Sequence, residues 1–240
     1  LPFTAVGAVG LAVAPFGWAP SLAGPTGAAA WAIGVTVVVA TLAWTVRDNP
    51  TGSEMTNEAV REIADRTDEE TLVLVDEAYG EFTDASSARP LLDERDDVAI
   101  LRTFSKAYGL AGVRLGYGLV PEEWADAYAR INTPFAASEL ACRAGLAALD
   151  DDDHVEQTVE TARWSRDYYR EHLEAPTWES GGNFVLAEVG DAEAVADAAQ
   201  REGVIVRDCS SFGLPECIRL TCGTREDTKT AVEVVNGVLD

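Results

Sequence analysis

From Arg47 onward, apolar and polar positions alternate in rhythms that predict a succession of strands and helices. Residues 54–67 carry apolar side chains at helical spacing and predict a helix. TLVLVDEAY (71–79) is a continuous apolar run that ends in polar groups, as a buried strand does. VAILRTF (98–104) and VRLGYGLV (113–120) predict two more strands. Helices follow at about 121–131 and 136–149. A long amphipathic helix is predicted over 153–173, with Val155, Val159, Ala162, Tyr169 and Leu173 near one stripe. After Pro176 comes a smaller unit: strand 183–189, helix 191–201, strands 203–207 and 217–221, and helix 224–238. Strands alternating with helices imply the α/β class with a mostly parallel sheet. The pattern divides the chain into an α/β part over 47–152, a connecting helix over 153–174 and a small α+β part over 175–240.

Residues 1–46 stand apart, because they carry no charged side chain. Residues 27–46 form an apolar run long enough to cross a bilayer as a helix. Residues 1–19 are a weaker run broken by Pro15, and the stretch from Pro20 to Gly27 would be the turn between the two. Leu1 is not followed by a basic region, so the segment is no ordinary signal peptide. A helical membrane hairpin or anchor is one reading, and a foreign segment without a partner in the rest of the chain is the other.

Composition narrows the function classes. The chain has 41 acidic and 18 basic side chains, a net charge of -23, so nucleic acid is excluded as a partner. The acid excess is spread over helical stretches such as 54–70 and 150–174 and reads as a solvated surface. Lys106 and Lys229 are the only lysines, and an acidic, lysine-poor surface suits solubility in concentrated salt, where repulsion is screened. Cys142, Cys209, Cys217 and Cys222 form no C-x-x-C pair, and His154 and His172 sit in an acidic helical stretch. Neither a metal site nor a disulfide framework is expected.

Chemistry in α/β folds collects where apolar strands end. Asp76 and Tyr79 close the first strand, Thr103, Ser105 and Lys106 close the second, and Arg114 opens the third. In a chain that otherwise uses arginine, a lysine at a strand end suggests that the amine itself is needed. Arginine cannot be deprotonated and so cannot form a Schiff base, whereas lysine can once its pKa is lowered.

TFSKAYGLAGVRLGY (103–117) resembles the Schiff-base segment of fold-type-I, pyridoxal-phosphate (PLP) dependent aminotransferases of class I and II. DNPTG (48–52) and VDEAYGEF (75–82) resemble two further motifs of that family, in the family's order. The resemblance covers about residues 48–240 and is strongest to the histidinol-phosphate branch, through GNFVL, GVIVRDCSSFGLP and IRLTCGT. It implies that Lys106 bonds the cofactor and shuttles the substrate proton, and that Asp76 pairs with the pyridinium nitrogen. It further implies that Tyr79 and Asn49 bond the cofactor's phenolic oxygen, that Thr103, Ser105 and Arg114 hold the phosphate, and that Arg219 clamps the substrate carboxylate.

The implied reaction is transamination between L-histidinol phosphate and 2-oxoglutarate, by a cytoplasmic homodimer acting on small molecules. Bland roles exist for each residue: a cap for Asp76, a core aromatic for Tyr79, a turn residue for Asn49, surface ion pairs for Arg114 and Arg219. The order of the motifs favours function. A threonine-phosphate decarboxylase would use the same cofactor residues. The family also carries, before its N-P-T-G motif, a phosphate-binding turn and an aromatic that stacks on the cofactor. Nothing in residues 1–46 resembles these. A non-catalytic remnant is therefore a third reading, and weak cofactor affinity is expected.

Overall fold

The computed structural model describes residues 42–45, 47–68, 71–122, 125 and 137–239. In chain order the first elements are β1 (Leu42–Thr45), β2 (Arg47–Asp48), β3 (Ser53–Glu54), α1 (Asn57–Arg66), β4 (Val73–Asp76), β5 (Val98–Thr103) and β6 (Gly116–Leu119). They are followed by α2 (Glu139–Leu149), α3 (Asp152–His172), β7 (Phe184–Glu188), α4 (Ala192–Arg201), β8 (Arg207–Asp208), β9 (Cys217–Thr221) and α5 (Arg225–Leu239).

A four-stranded sheet in the order β1-β4-β5-β6 carries the first part. β1, β4 and β5 run parallel, with Asp76 opposite Leu101, and β6 returns antiparallel. Val73, Val75, Val98, Ala99 and Ile100 are fully buried, as expected of strands covered on both faces. Val73, Val75, Val98 and Ile100 pack with Val60 and Ala64 of α1 and with Ala88 and Leu91 of the loop between β4 and β5. A second sheet, β7-β9-β8, is wholly antiparallel. Val185, Ala187, Ile218 and Leu220 of that sheet pack against α4, α5 and the C-terminal end of α3.

Helix α3 serves both cores. Val155, Val159 and Ala162 pack with Tyr79, Phe82 and Ala107, while Tyr169 and Leu173 belong to the C-terminal core. Short polar residues start the helices: Thr56, Ser138, Asp151 and Asp191 each accept a bond from a first-turn amide. Thr224 and Asp227 cap α5 reciprocally. Acidic residues occupy the first turns of these helices, where the helix dipole favours them.

Three expectations are corrected. Leu42–Thr45, read as the end of an apolar helix, is a strand, because its backbone pairs with the edge of β4 over four residues. The remainder of the expected membrane segment lies outside the described residues, and no described helix is long and apolar enough to cross a membrane. The strand expected over 113–120 begins at Gly116, because Arg114 takes a left-handed backbone conformation (φ 59°) that breaks an extended run. The strand expected over 203–207 shrinks to Arg207–Asp208. The Val204 amide bonds back to Ala199 at the end of α4, and Ile205 is 84% exposed. Most of the helix expected over 121–131 lies outside the described residues.

Ile100→Ala should cost about 2–5 kcal/mol in denaturant unfolding, because it empties a fully buried site in β5. Ile205→Ala should change stability by no more than about 0.5 kcal/mol. Equal costs would contradict the packing described.

Candidate active site

β4 and β5 leave the sheet side by side. Asp76 is the last residue of β4, and Tyr79 follows it into the 3-10 turn Gly80–Phe82. Beyond β5, Phe104 bonds to Leu115 O and Leu110 bonds back to Phe104 O, so residues 104–110 fold into a tight turn that carries Ser105 and Lys106. Ala107 is fully buried and anchors that turn. Asp76, Tyr79, Ser105 and Lys106 are each half-buried.

The side chains converge. The Lys106 ammonium lies 5.0 Å from the centre of the Tyr79 ring, a cation–π contact. The positive charge of Lys106 also reaches Asp76. Burial pushes the Asp76 carboxyl above its usual range, while the Ala78 amide, at 3.0 Å, and Lys106 pull it back. Among the described residues no carboxylate forms an ion pair with Lys106.

A second group of residues meets the first from the C-terminal sheet. The Tyr79 ring stands edge-on to Phe184, with centroids 5.3 Å apart. The Arg219 guanidinium lies 5.1 Å from the centre of the same Phe184 ring. Arg219 Nη1 donates to Asn49 Oδ1 at 2.5 Å, and Arg219 Nε is buried without a hydrogen-bond partner. A row therefore runs Lys106, Tyr79, Phe184, Arg219, Asn49. Phe184, only 1% exposed, joins the two halves of the site. It lies within GNFVL, a stretch whose pattern alone gives it no place in the site. The one signal for it is an aromatic after the pair Gly181 and Gly182. A side chain at Gly182 would come within 2.7 Å of the Phe184 ring.

Glycine also permits the approach of the two turns. Gly52, with φ +79°, accepts a bond from the Gly181 amide at 2.9 Å, and a Cβ at Gly52 would lie 2.1 Å from Ser180 Oγ. Arg166 of α3 ties the same region, donating to Phe82 O at 3.2 Å and to Gly182 O at 2.6 Å.

Thr103, Ser105 and Arg114 are less convergent. Thr103 Oγ1 accepts from the Ser105 amide at 3.1 Å and lies 3.4 Å from Leu115 O. Arg114 is exposed, and its Nη1 donates to Ala111 O of its own turn at 2.8 Å. Chemically the site offers an amine, a half-buried carboxyl, a phenol, hydroxyls and a guanidinium whose Nε lacks an acceptor. That set suits an anionic ligand containing a reactive carbonyl.

The family profile "Aminotransferase class I and II" matches residues 34–235. A histidinol-phosphate aminotransferase of Haloarcula marismortui is 74% identical over 192 residues, covering 80% of this chain and 53% of that protein. One from Haloferax volcanii is 69% identical over 195 residues, covering 81% and 54%. The chain thus spans about half the length of the curated relatives it matches. Among solved structures, the histidinol-phosphate aminotransferase of Sinorhizobium meliloti, in complex with pyridoxal-5'-phosphate, superposes with a TM-score of 0.78 at 30% identity. That match covers 83% of this chain and 57% of the other. An L-threonine-O-3-phosphate decarboxylase from Porphyromonas gingivalis shares the fold, with a TM-score of 0.70 at 22% identity.

Because the folded chain holds the Asp76 proton more tightly than the unfolded chain, stability is lost as pH rises through the folded pKa of Asp76. Asp76→Asn keeps a neutral side chain with an oxygen for Ala78. It should raise the thermal midpoint of the cofactor-free chain at neutral pH, and the gain should vanish in acid. A midpoint that falls at neutral pH would contradict the burial assigned to Asp76.

Proposed function

The chain belongs to the class I and II aminotransferases, and on that basis we propose that it carries the cofactor-bonding half of a histidinol-phosphate aminotransferase. The observation that supports this most directly is the convergence of Lys106 and Asp76 at neighbouring strand ends, with Tyr79 beneath the amine. The proposed cofactor is PLP, and the residues present fit it. Lys106 supplies an amine for its carbonyl carbon, Asp76 a carboxylate for its ring nitrogen, and Ser105, Thr103 and Arg114 donors for its phosphate. When bound, PLP would accept the electron pair left on the substrate's α-carbon.

The chain's own residues divide the remaining work. Lys106 Nζ would hold the cofactor and, once released, carry the proton removed from the substrate α-carbon. Asp76, kept from water, would hold the ring nitrogen protonated by pairing with it. Asn49 gives Oδ1 to Arg219, which leaves Nδ2 to donate to the phenolic oxygen beside Tyr79. Arg219 gives Nη1 to Asn49 and retains its buried Nε, which faces no acceptor; a substrate carboxylate would supply one. The proposed substrates are L-histidinol phosphate and 2-oxoglutarate, used in the cytoplasm by a homodimer. The acid excess and the relatives from Haloarcula and Haloferax agree with work in concentrated salt. Among the described residues the proposed phosphate donors are Thr103, Ser105 and an exposed Arg114, and these contacts alone should hold the cofactor weakly.

Transamination from L-histidinol phosphate to 2-oxoglutarate, assayed at high salt with excess PLP, tests the proposal. Wild type should turn over, and Lys106→Arg should lose roughly 10²–10⁴-fold, since a guanidinium keeps the charge but cannot exchange the proton. Release of carbon dioxide from L-threonine phosphate would instead favour a decarboxylase. Equal rates for wild type and Lys106→Arg would remove Lys106 from the chemistry.

A further inference from the structure

Next to Asp76 stands a carboxylate that the proposed chemistry does not use. Glu77 is 4% exposed, and successive side chains at the end of a strand face opposite ways, so it projects to the side of the sheet away from Asp76. Both its oxygens are engaged: Oε1 accepts from the Ala88 amide at 2.6 Å, and Oε2 accepts from Ser87 Oγ at 2.9 Å and from Arg102 Nε and Nη2 at 3.0 and 2.6 Å. Arg102 sits on β5, one residue before Thr103, and its Nη2 also donates to Ser87 Oγ at 3.1 Å. Ser87 O in turn accepts from Asn57 at the start of α1, at 3.0 Å.

The location gives this network its meaning. β4 pairs with β5 only as far as Asp76 opposite Leu101. Past that point Glu77 ties the chain to β5 through its backbone, N–H to Leu101 O at 2.9 Å, and through its side chain. Arg102 grips Glu77 from the very strand that leads into the Lys106 turn. The fork geometry of the guanidinium fixes both distance and direction, which a point charge would not. A carboxylate this buried would be costly without such partners.

We propose that Glu77 is a positioning residue: through Arg102 it locks the end of β4 to β5 and so sets where Asp76 stands against Lys106. The inference deepens the reading of Asp76 and Lys106 given above and rests on it for its catalytic meaning. Asp76 itself is the natural reporter. It faces Lys106 from the turn after β5 and the Ala78 amide from its own turn, with Glu77 and Arg102 on the far side and Glu81 acting on Arg102. Loosening the strand end admits water to the Asp76 carboxyl and lets its midpoint fall toward the ordinary carboxylate range.

The experiment is a carbon-13 NMR titration of the Asp76 carboxyl in the full chain without cofactor, assigned with Asp76→Asn. Wild type, Glu77→Gln and Arg102→Gln are compared. Positioning lowers the Asp76 midpoint in both variants, by roughly half a pH unit or more. Charge acting through space would give opposite signs, because Glu77→Gln removes a negative charge and Arg102→Gln a positive one. A purely stabilising ion pair would lower the thermal midpoint and leave the Asp76 titration in place. Either of these results overturns the proposal. If Glu77→Gln does not fold, Ser87→Ala removes one donor to Glu77 and should move Asp76 the same way by less; no movement there counts against the proposal. The titration needs no PLP. Failure of the functional reading would show separately, as the absence of a Lys106-dependent absorbance band when wild type is mixed with PLP.

Discussion

The parallel pairing of β4 with β5 is the constraint on which the rest of the site depends. Backbone bonds set the register, and the register places Asp76 level with Leu101. Valines and Ile100, buried to completion on these two strands, leave the pair little room to slide. A slip by one residue would turn Asp76 into the core and a valine into the site. In the proposed reading the Asp76 carboxyl and the Lys106 amine are thereby assigned to two neighbouring strand ends, the stiffest places from which a loop can start. The tight turn over 104–110, pinned by Ala107, then returns Lys106 over Tyr79.

The C-terminal sheet is brought to those strand ends by three kinds of contact. Helix α3 packs on both cores, Arg166 bonds carbonyls on either side, and the turns at Gly52 and Gly181 meet backbone to backbone. Phe184 lies where these contacts focus, with Tyr79 at its edge and Arg219 over its face. Lys106 and Arg219 are thus linked through two rings, Tyr79 and Phe184. In the proposed reaction Lys106 holds the cofactor and Arg219 the substrate. Displacing Phe184 would remove a packing contact from Tyr79 and from Arg219 together.

The sequence revealed residue types more readily than partnerships. Lys106 stands out in the sequence because lysine is rare in this chain and its place at a strand end calls for a chemical reason. β4, β5 and β7 were legible because buried strands read as continuous apolar runs. β1 was not, since an uncharged run fits a helix or a strand equally and only pairing with β4 decides between them. The turn at Arg114 was hidden as well, because a left-handed arginine leaves no mark in a hydropathy pattern. Phe184, Glu77 and Arg102 take their importance from neighbours distant in sequence. Glu77 stood in plain view inside VDEAYGEF, but its partner Arg102 lies 25 residues on and is identified only by the fold.

Electrostatics separates the surface from the interior. Pairs such as Arg66 with Glu62 and Arg143 with Glu139 are exposed and contribute little, least of all at high salt. Glu77 with Arg102 is sheltered and resists screening. A net charge of -23 leaves the molecule few cations with which to draw an anionic cofactor, and the proposed reading assigns that task to Lys106 and Arg219. The most direct test of Lys106 as the cofactor lysine exploits the presence of only two lysines. The chain is mixed with PLP at high salt, reduced with borohydride and mapped by peptide mass spectrometry. A pyridoxyl label on the peptide carrying Lys106, with Lys229 unmodified, is the expected result. Label on Lys229 alone, or on neither at saturating PLP, would contradict it.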